Sequence, residues 1–302
     1  MESILRINNL KKSFGRETII RDLSFQVGEQ EIVGFLGPNG SGKSTTLKCV
    51  AGLYQMTAGE IYIGKYSIKK NRKEALSLVG LSIEHPTLYP NLSGLDHLKM
   101  MARWRGVGQD RVKEMIDFSG LENSITKVAG KYSMGMKMRL MLSLSLLHNP
   151  KLIILDEPTN GLDPQAIVNL REQIKEIREQ GSSILFSSHQ LGEVEKIVDR
   201  VVLINHGDKL YDGSLPDKLK DGNVYKIQVS DVEKSMKIGN EINGLSMTSL
   251  EDNDSNWISF HCDDKEALNN YIEMLQQNSI RIEDFNKEVT DLESFYNLYY
   301  KG

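Results

Sequence analysis

The chain has 302 residues, of which 39% are hydrophobic, and it carries a formal net charge of −4. This length predicts about two domains with enough apolar material for a sizeable core, and without a basic stripe nucleic acid is not an expected partner. No window approaches the roughly 18 to 20 consecutive apolar residues of a membrane-spanning helix, and no secretory signal pattern opens the chain. With only two cysteines, we expect a reducing cytoplasm rather than a disulfide framework.

The first segment, residues 4–27, alternates apolar and polar positions around a turn signal at residues 13–15. This pattern predicts antiparallel strands. Phe14 lies at a distance from the next motif at which an aromatic ring could stack on a nucleotide base. The same residue could instead fill a core position on a strand face, and the spacing leaves both interpretations open.

A phosphate-binding loop follows the apolar run 32–36 and precedes a helical pattern. It consists of Gly37, Pro38, Asn39, Gly40, Ser41, Gly42, Lys43, Ser44 and Thr45. Glycines that bracket four residues, followed by Lys and Ser, let backbone N–H groups face phosphate oxygens while the helix presents its positive N-terminus to the same charge. A tight glycine-rich turn alone does not require a lysine and a hydroxyl immediately after its last glycine. The motif therefore predicts a nucleotide site.

The middle of the chain alternates buried runs with helical patterns. The run 78–84 ends in the carboxylate of Glu84, and the Met-rich pattern over 92–119 is typical of core helices. An apolar helix then begins at Ser133-x-Gly135. Serine is a good N-cap and the glycine permits close approach to the exposed N–H groups, so this helix start is a candidate second anion site.

Two further strand ends carry polar groups. The run 152–155 delivers Asp156, which suits a Mg²⁺ that bridges phosphates, and Glu157, which can orient or deprotonate an attacking water. The alternative is a strand that ends in a solvated acidic turn. The strand predicted over 182–189 ends on His189. A lone histidine at a strand end is usually structural. Here three predicted strands end in polar or charged residues, which is typical of a parallel sheet that binds a ligand at its C-terminal edge.

The tail differs in composition from about residue 213 onward. Strands are predicted at 224–229, 257–260 and 280–282, with helices near 232–242, 264–277 and 292–300. These elements form a small α+β module without a catalytic constellation. We therefore expect one domain over 1–215 and a second over 216–302.

In this order, the motifs of residues 1 to about 215 resemble those of the ATP-binding subunit of an ABC transporter. The resemblance implies an α/β P-loop NTPase core with an antiparallel β subdomain and a helical subdomain, and it implies ATP and Mg²⁺ as cofactors. It implies that residues 37–45 are the Walker A loop, with Lys43 in catalysis and Ser44 on the metal, and that 152–156 is the Walker B strand. It also implies that Glu157 is the catalytic base, that Asp163 is the D-loop acid and that His189 is the switch residue that contacts the γ-phosphate. Ser133 and Gly135 would belong to the signature motif.

Three positions depart from the commonest family pattern. Phe14 replaces the tyrosine that stacks on adenine, and the signature has Met134 in place of its first glycine. Glu84 replaces the Q-loop glutamine, and we expect its carboxylate to bind the metal. Together with the residues around 83–92, these departures resemble the bacitracin and lantibiotic immunity branch of bacterial peptide exporters.

The resemblance implies an ATPase that dimerises head to tail, as a homodimer or with a similar chain, and couples to a separate membrane permease at the inner face of the cell membrane. Two alternatives belong to other classes. A soluble ABC ATPase that acts on ribosomes or DNA would carry two cassettes or long coiled coils, and this chain has neither pattern. A regulatory nucleotide-binding module would not need both Glu157 and His189.

Overall fold

The chain divides into two units, Met1–Ser214 and Leu215–Gly302. The computed structural model describes residues 3–83, 87–189, 191–214, 224–249, 256–262, 265–288 and 296.

The first unit begins with a four-stranded antiparallel sheet in the order β2-β1-β4-β5. Its strands are β1 (Ser3–Phe14), β2 (Glu17–Gly28), β4 (Ala58–Ile63) and β5 (Tyr66–Ser67). Alternation in β1 and β2 places Leu5, Ile7 and Leu23 in the core, because successive side chains of a strand point to opposite faces. The predicted hairpin forms, with its turn at residues 15 and 16.

A six-stranded sheet in the order β10-β9-β3-β8-β7-β6 makes up the centre of this unit. Its strands are β3 (Ile32–Leu36), β6 (Val79–Ser82), β7 (Leu152–Asp156), β8 (Ser183–Ser188), β9 (Arg200–Asn205) and β10 (Asp208–Ser214). All neighbours pair in parallel except β9 and β10. Strands β3, β7 and β8 are buried at every residue, as expected for strands covered on both faces.

The described residues of the first unit form seven α-helices. They are α1 (Lys43–Val50), α2 (Arg72–Ser77), α3 (Gly94–Arg105), α4 (Gln109–Ser119), α5 (Met134–Leu146), α6 (Pro164–Glu179) and α7 (Leu191–Val194). The continuous pattern over 92–119 is in fact two helices, because Gly106 ends α3 in the left-handed conformation. Leu98 and Met115 are buried, in agreement with the predicted core role of this stripe. No helix among the described residues is long and apolar enough to cross a membrane.

The second unit has the element order βαββαβ. Its elements are β11 (Val224–Val229), α8 (Val232–Asn240), β12 (Leu245–Ser249), β13 (Trp257–Cys262), α9 (Lys265–Gln277) and β14 (Ile282–Glu288). The sheet order is β12-β13-β11-β14 and every neighbouring pair is antiparallel. This is the split-βαβ, ferredoxin-like arrangement. Its core contains Ile227, Phe260 and Tyr271.

The second unit differs from its sequence predictions at two strands. Strand β12 was not predicted. The last strand was predicted at 280–282, but β14 spans Ile282–Glu288 and Ile280 is a buried core residue before it. The helix predicted over 292–300 lies outside the described residues except at position 296.

Candidate nucleotide-binding site

The loop between β3 and α1 is shaped by glycine. Gly40 and Gly42 have φ of +82° and +108°, which L side chains rarely adopt. A Cβ on Gly37 would lie 2.3 Å from the carbonyl oxygen of Ile204, so only glycine fits there. The loop therefore turns tightly and leaves its N–H groups free of side-chain bulk.

Lys43 is the first residue of α1 and is buried. Its Nζ donates to the carbonyl oxygen of Gly37 at 2.7 Å and to that of Pro38 at 3.3 Å. These bonds hold the ammonium group against the loop. A buried ammonium group has three N–H donors, so it can donate to phosphate oxygens in place of these carbonyl oxygens with little movement.

The hydroxyl of Ser41 is a second sign that the loop fits an anion. It is buried, and in the part of the chain that the structure describes it has no hydrogen-bond partner. Buried hydroxyls are normally satisfied, so an orphan beside a helix N-terminus fits a phosphate oxygen.

Asp156 ends β7 and is also buried. Its Oδ1 accepts from the hydroxyl of Ser44 at 3.2 Å and from that of Ser187 at 2.5 Å. A carboxylate next to a serine hydroxyl gives two oxygen ligands that suit Mg²⁺. Among the described residues no group of three or more His, Cys, Asp or Glu side chains could hold a metal. The residues fit Mg²⁺ only if phosphate and water oxygens complete its coordination.

Glu157 lies between a lysine and a histidine. One carboxylate oxygen, Oε1, is 3.5 Å from Lys43 Nζ, and the other, Oε2, accepts from Nδ1 of His189 at 2.7 Å. An ionised carboxylate can only accept, so the His189 proton is on Nδ1 in this contact. The lone pair or proton on Nε2 of this exposed imidazole then faces away from Glu157. The three side chains form one contact network at the edge of the sheet.

Sheet register brings these groups together. Asp156 lies opposite Ser187 in the parallel pairing of β7 with β8, and β8 also pairs with β3, which leads into the loop. The carboxyl ends of three adjacent strands thus deliver Lys43, Asp156, Glu157 and His189 to one place. A solvated acidic turn, the alternative interpretation of the acid pair, does not describe a buried Asp156.

Ser133, Gly135 and Asp163 lie together elsewhere in the first unit. The Ser133 hydroxyl accepts from the N–H of Met136 at 3.2 Å as the N-cap of α5, and Asp163 accepts from that of Ala166 at 2.8 Å as the N-cap of α6. All three line a pocket of about 240 Å³ whose lining includes neither the phosphate loop nor His189. The two helix starts form one surface.

Phe14 is 45% exposed, which excludes the core interpretation of this residue. Its ring meets Tyr54 edge-on with centroids 5.3 Å apart, and Lys12 Nζ lies 4.3 Å from its centre. Stacking on a base stays a prediction. The sequence pattern did not reveal Tyr54 or Lys12 as neighbours of this ring.

The comparisons with known proteins identify the family. Residues 20–160 match the ABC transporter family. The ABC transporter ATP-binding protein YhcH of Bacillus subtilis (strain 168) is 38% identical over 252 residues, which are 82% of this chain and 83% of that protein. The chain belongs to the ATP-binding proteins of ABC transporters. It is therefore an ABC ATPase, which binds and hydrolyses ATP.

Other relatives of this ABC ATPase carry more specific names. The lantibiotic transport ATP-binding protein SrtF of Streptococcus pyogenes is 40% identical over 70% of this chain and 93% of that protein. The bacitracin transport ATP-binding protein BcrA of Bacillus licheniformis is 38% identical over 78% of each. The predicted family is confirmed, and so is the predicted resemblance to bacitracin and lantibiotic transport ATP-binding proteins.

Solved structures agree with the ABC ATPase fold. An ATP-binding subunit of an ABC transporter gives a TM-score of 0.66 at 30% identity over 72% of this chain and 92% of that one. An ATP-binding cassette solved as a post-hydrolysis dimer with ADP and Pi gives 0.62 at 23% identity, over 70% of this chain and 99% of that one. The predicted fold class is confirmed.

Glu84 and Ser187 have different outcomes. Glu84 lies outside the described residues, so its predicted metal contact stays a prediction. Ser187, which bonds Asp156, was missed by the sequence analysis. The sequence signal that could have indicated Ser187 is its position two residues before His189, because alternate residues of a strand share a face. Strand register places that face of β8 beside Asp156.

Proposed function

We propose that this ABC ATPase powers the export of an antimicrobial peptide or antibiotic through a separate permease, and so contributes to resistance. The observation that carries the proposal is the contact network of Lys43, Glu157 and His189 beside the buried Asp156. In this network Lys43, whose ammonium group can bind phosphate, contacts Glu157, the candidate base, at one edge of the sheet. The peptide substrate is supported by the names of the lantibiotic and bacitracin relatives.

In the proposed reaction, the loop 37–45 and Lys43 hold the phosphates, and Phe14 stacks on the base. Glu157 accepts the proton of the attacking water. His189 holds the Glu157 carboxylate through Nδ1 and leaves Nε2 for the γ-phosphate. Ser44, Asp156 and, as a further proposal, Glu84 would hold Mg²⁺, which neutralises phosphate charge when bound.

The complete site is proposed to need two subunits. Ser133 is the N-cap and Gly135 lies in the first turn of α5, and Asp163 caps the neighbouring helix. Their pocket contains no residue of the chain's own phosphate loop. A second subunit, arranged head to tail, would place this surface over the γ-phosphate of its partner. The second subunit is an identical or a similar chain.

A surface on the helical part of the first unit is proposed to receive the permease. An exposed groove of about 220 Å³ is lined by Tyr89, Trp104 and three methionines, and Trp104 is 69% exposed. Large exposed aromatic and methionine side chains are typical of contact surfaces. Coupling to a permease would hold the ATPase at the cytoplasmic face of the membrane.

Co-expression with a membrane permease from the same genome tests this proposal in a peptide-susceptible bacterium. Wild-type chain is expected to raise the minimum inhibitory concentration of bacitracin or a lantibiotic, and Glu157→Gln expressed at the same level is expected to give no protection. Equal susceptibility with wild type and Glu157→Gln, although the purified wild type hydrolyses ATP, would contradict peptide export and leave the ATPase assignment intact.

A further inference from the structure

Ser187 is a fully buried polar residue that no motif of the family resemblance included. It is the fifth residue of β8 and lies opposite Asp156 of β7. Its hydroxyl lies between Asp156, which ends β7, and the backbone of Glu157, which follows it.

The hydroxyl makes two hydrogen bonds whose directions are fixed by chemistry. The backbone N–H of Glu157 can only donate, and it donates to Ser187 Oγ at 2.9 Å. The hydroxyl proton is therefore available to Asp156, whose Oδ1 accepts it at 2.5 Å. One side chain thus bonds the carboxylate of the first acid and the backbone of the second.

The backbone of Glu157 needs such support. Its φ of +49° is in the left-handed region, which is unfavourable for a residue with a side chain. Glu157 also precedes Pro158, and a residue before proline is biased towards extended backbone. Unfavourable conformations of this kind persist when the surrounding structure fixes them. The bonds that do so here are the one from Glu157 N–H to Ser187 and one from Asn160 N–H to the Glu157 carbonyl oxygen at 3.2 Å.

We propose that Ser187 is a positioning residue for ATP hydrolysis: its single hydroxyl fixes the left-handed backbone of Glu157 and the orientation of the Asp156 carboxylate. This inference rests on the roles proposed above for Asp156 and Glu157. The left-handed turn directs the Glu157 side chain to Lys43 and His189, which it contacts at 3.5 and 2.7 Å. Without the hydroxyl, the carboxylate is free to leave the position from which it meets the attacking water.

The test compares variants of the full chain in steady-state ATPase assays. Ser187→Ala is expected to lower kcat at least about tenfold, the scale expected when a hydrogen bond to a charged group is lost, with KM for ATP nearly unchanged. Ser187→Thr and Ser187→Val have nearly the same shape, and only threonine keeps the hydroxyl. Threonine is expected to retain clearly more activity than valine.

Ser183→Ala is the matched control. Ser183 is on the same strand, is buried, and accepts the N–H of Gln30 at 2.9 Å, far from the acids along the strand. Removal of the Ser183 hydroxyl removes the same kind of hydrogen bond from the opposite end of β8. We expect Ser183→Ala to lower thermal stability about as much as Ser187→Ala does and to leave kcat unchanged.

A binding measurement supplies a readout besides turnover. ATP affinity is measured by fluorescence with excess Mg²⁺ and with a chelator, and Ser187→Ala is expected to show a smaller gain from Mg²⁺ than wild type or Ser183→Ala. Equal kcat for Ser187→Val and Ser187→Thr, or an unchanged Mg²⁺ gain with wild-type kcat in Ser187→Ala, would overturn the inference. Turnover in Glu157→Gln separates failure of the proposed function from failure of this inference. If Glu157→Gln stays active, the proposed role of Glu157 is wrong. If Glu157→Gln is inactive while Ser187→Ala is fully active, only the role of Ser187 is wrong.

Discussion

The carboxylate of Glu157 has a different partner on each oxygen, Lys43 on one and His189 on the other. The lysine ammonium lies 3.5 Å from the first oxygen. The imidazole fixes the direction of the second oxygen. Removal of the negative charge and removal of the whole side chain therefore have different consequences at this residue.

Glu157→Gln is expected to bind ATP and to lose most turnover. The amide keeps the shape and can still accept from His189, but it is not a base, and a general base typically contributes about 10²- to 10⁴-fold to the rate. With hydrolysis blocked, ATP is expected to hold two subunits together. Nucleotide titration, ATPase assays and light scattering check these outcomes, and a monomer at saturating ATP and Mg²⁺ would contradict the shared site.

Cys49 gives a prediction about pH. Burial in α1 raises the pKa of its thiol to about 11, an effect that Lys12 partly opposes. In the unfolded chain the thiol ionises near its ordinary value of 9.0, so the thiol's contribution to the free energy of unfolding is complete below pH 9 and falls as pH rises towards about 11. Denaturant titrations of wild type and Cys49→Ala between pH 8 and 11 measure this as a pH-dependent difference between the two proteins. A constant difference would show that burial does not shift this thiol.

Local motifs made much of the site predictable, because the phosphate loop, the acid pair and His189 are each continuous in sequence. The contacts between them follow from strand register, which a single sequence does not specify. For this reason Ser187 was missed, although it touches two predicted site residues. Phe14 shows the opposite case, since its exposure had to be observed to decide between the two interpretations.

At the scale of elements, the strands that the sequence failed to predict or misplaced are edge strands. No strand is predicted from the sequence at β5, β10 or β12, and β14 is misplaced; each of these four strands lies at the end of a sheet order. An edge strand pairs on one side only and tolerates polar residues, as Glu283 and Asp284 in β14 illustrate, so its apolar alternation is weak. The buried central strands β3, β7 and β8 have continuous apolar runs and were predicted within a residue or two.

The start of α5 carries the prediction for the shared site. Gly135→Asp is expected to abolish ATPase activity and to leave ATP binding to the monomer nearly intact, because a carboxylate there would repel the phosphate of the partner subunit. A Cβ at this position would lie 3.1 Å from the Cβ of Ala166, so any side chain also crowds α6.

Gly135→Ala is the control for this crowding. It adds the same Cβ without charge and is expected to keep a measurable share of the activity. If Gly135→Ala and Gly135→Asp were equally inactive, packing of α5 on α6 would explain the loss. A comparable loss of ATP affinity in the Gly135→Asp monomer would place Gly135 in the chain's own nucleotide site instead.

At the scale of the whole molecule, the chemistry and the second unit are separate. Every side chain assigned to the nucleotide site belongs to Met1–Ser214. The second unit has its own βαββαβ topology and its own buried cluster, which includes Ile227, Phe260, Tyr271 and Leu275. A unit with its own hydrophobic core could in principle fold alone.

A chain that ends at Ser214 is therefore expected to fold, to bind ATP with nearly unchanged affinity and to unfold cooperatively. This end point keeps all of β10, whose Asp212 accepts from Arg200 and from Lys209. Differential scanning calorimetry and nucleotide titration check the outcome. A chain that ends at Gly207 is the control. It lacks β10 and so removes Asp212 from the half-buried guanidinium of Arg200, which keeps its contact with Glu31, and it is expected to be markedly less stable. If the chain ending at Ser214 were insoluble or failed to bind ATP, the second unit would be required for the stability of the first, because all of the proposed catalytic groups would still be present.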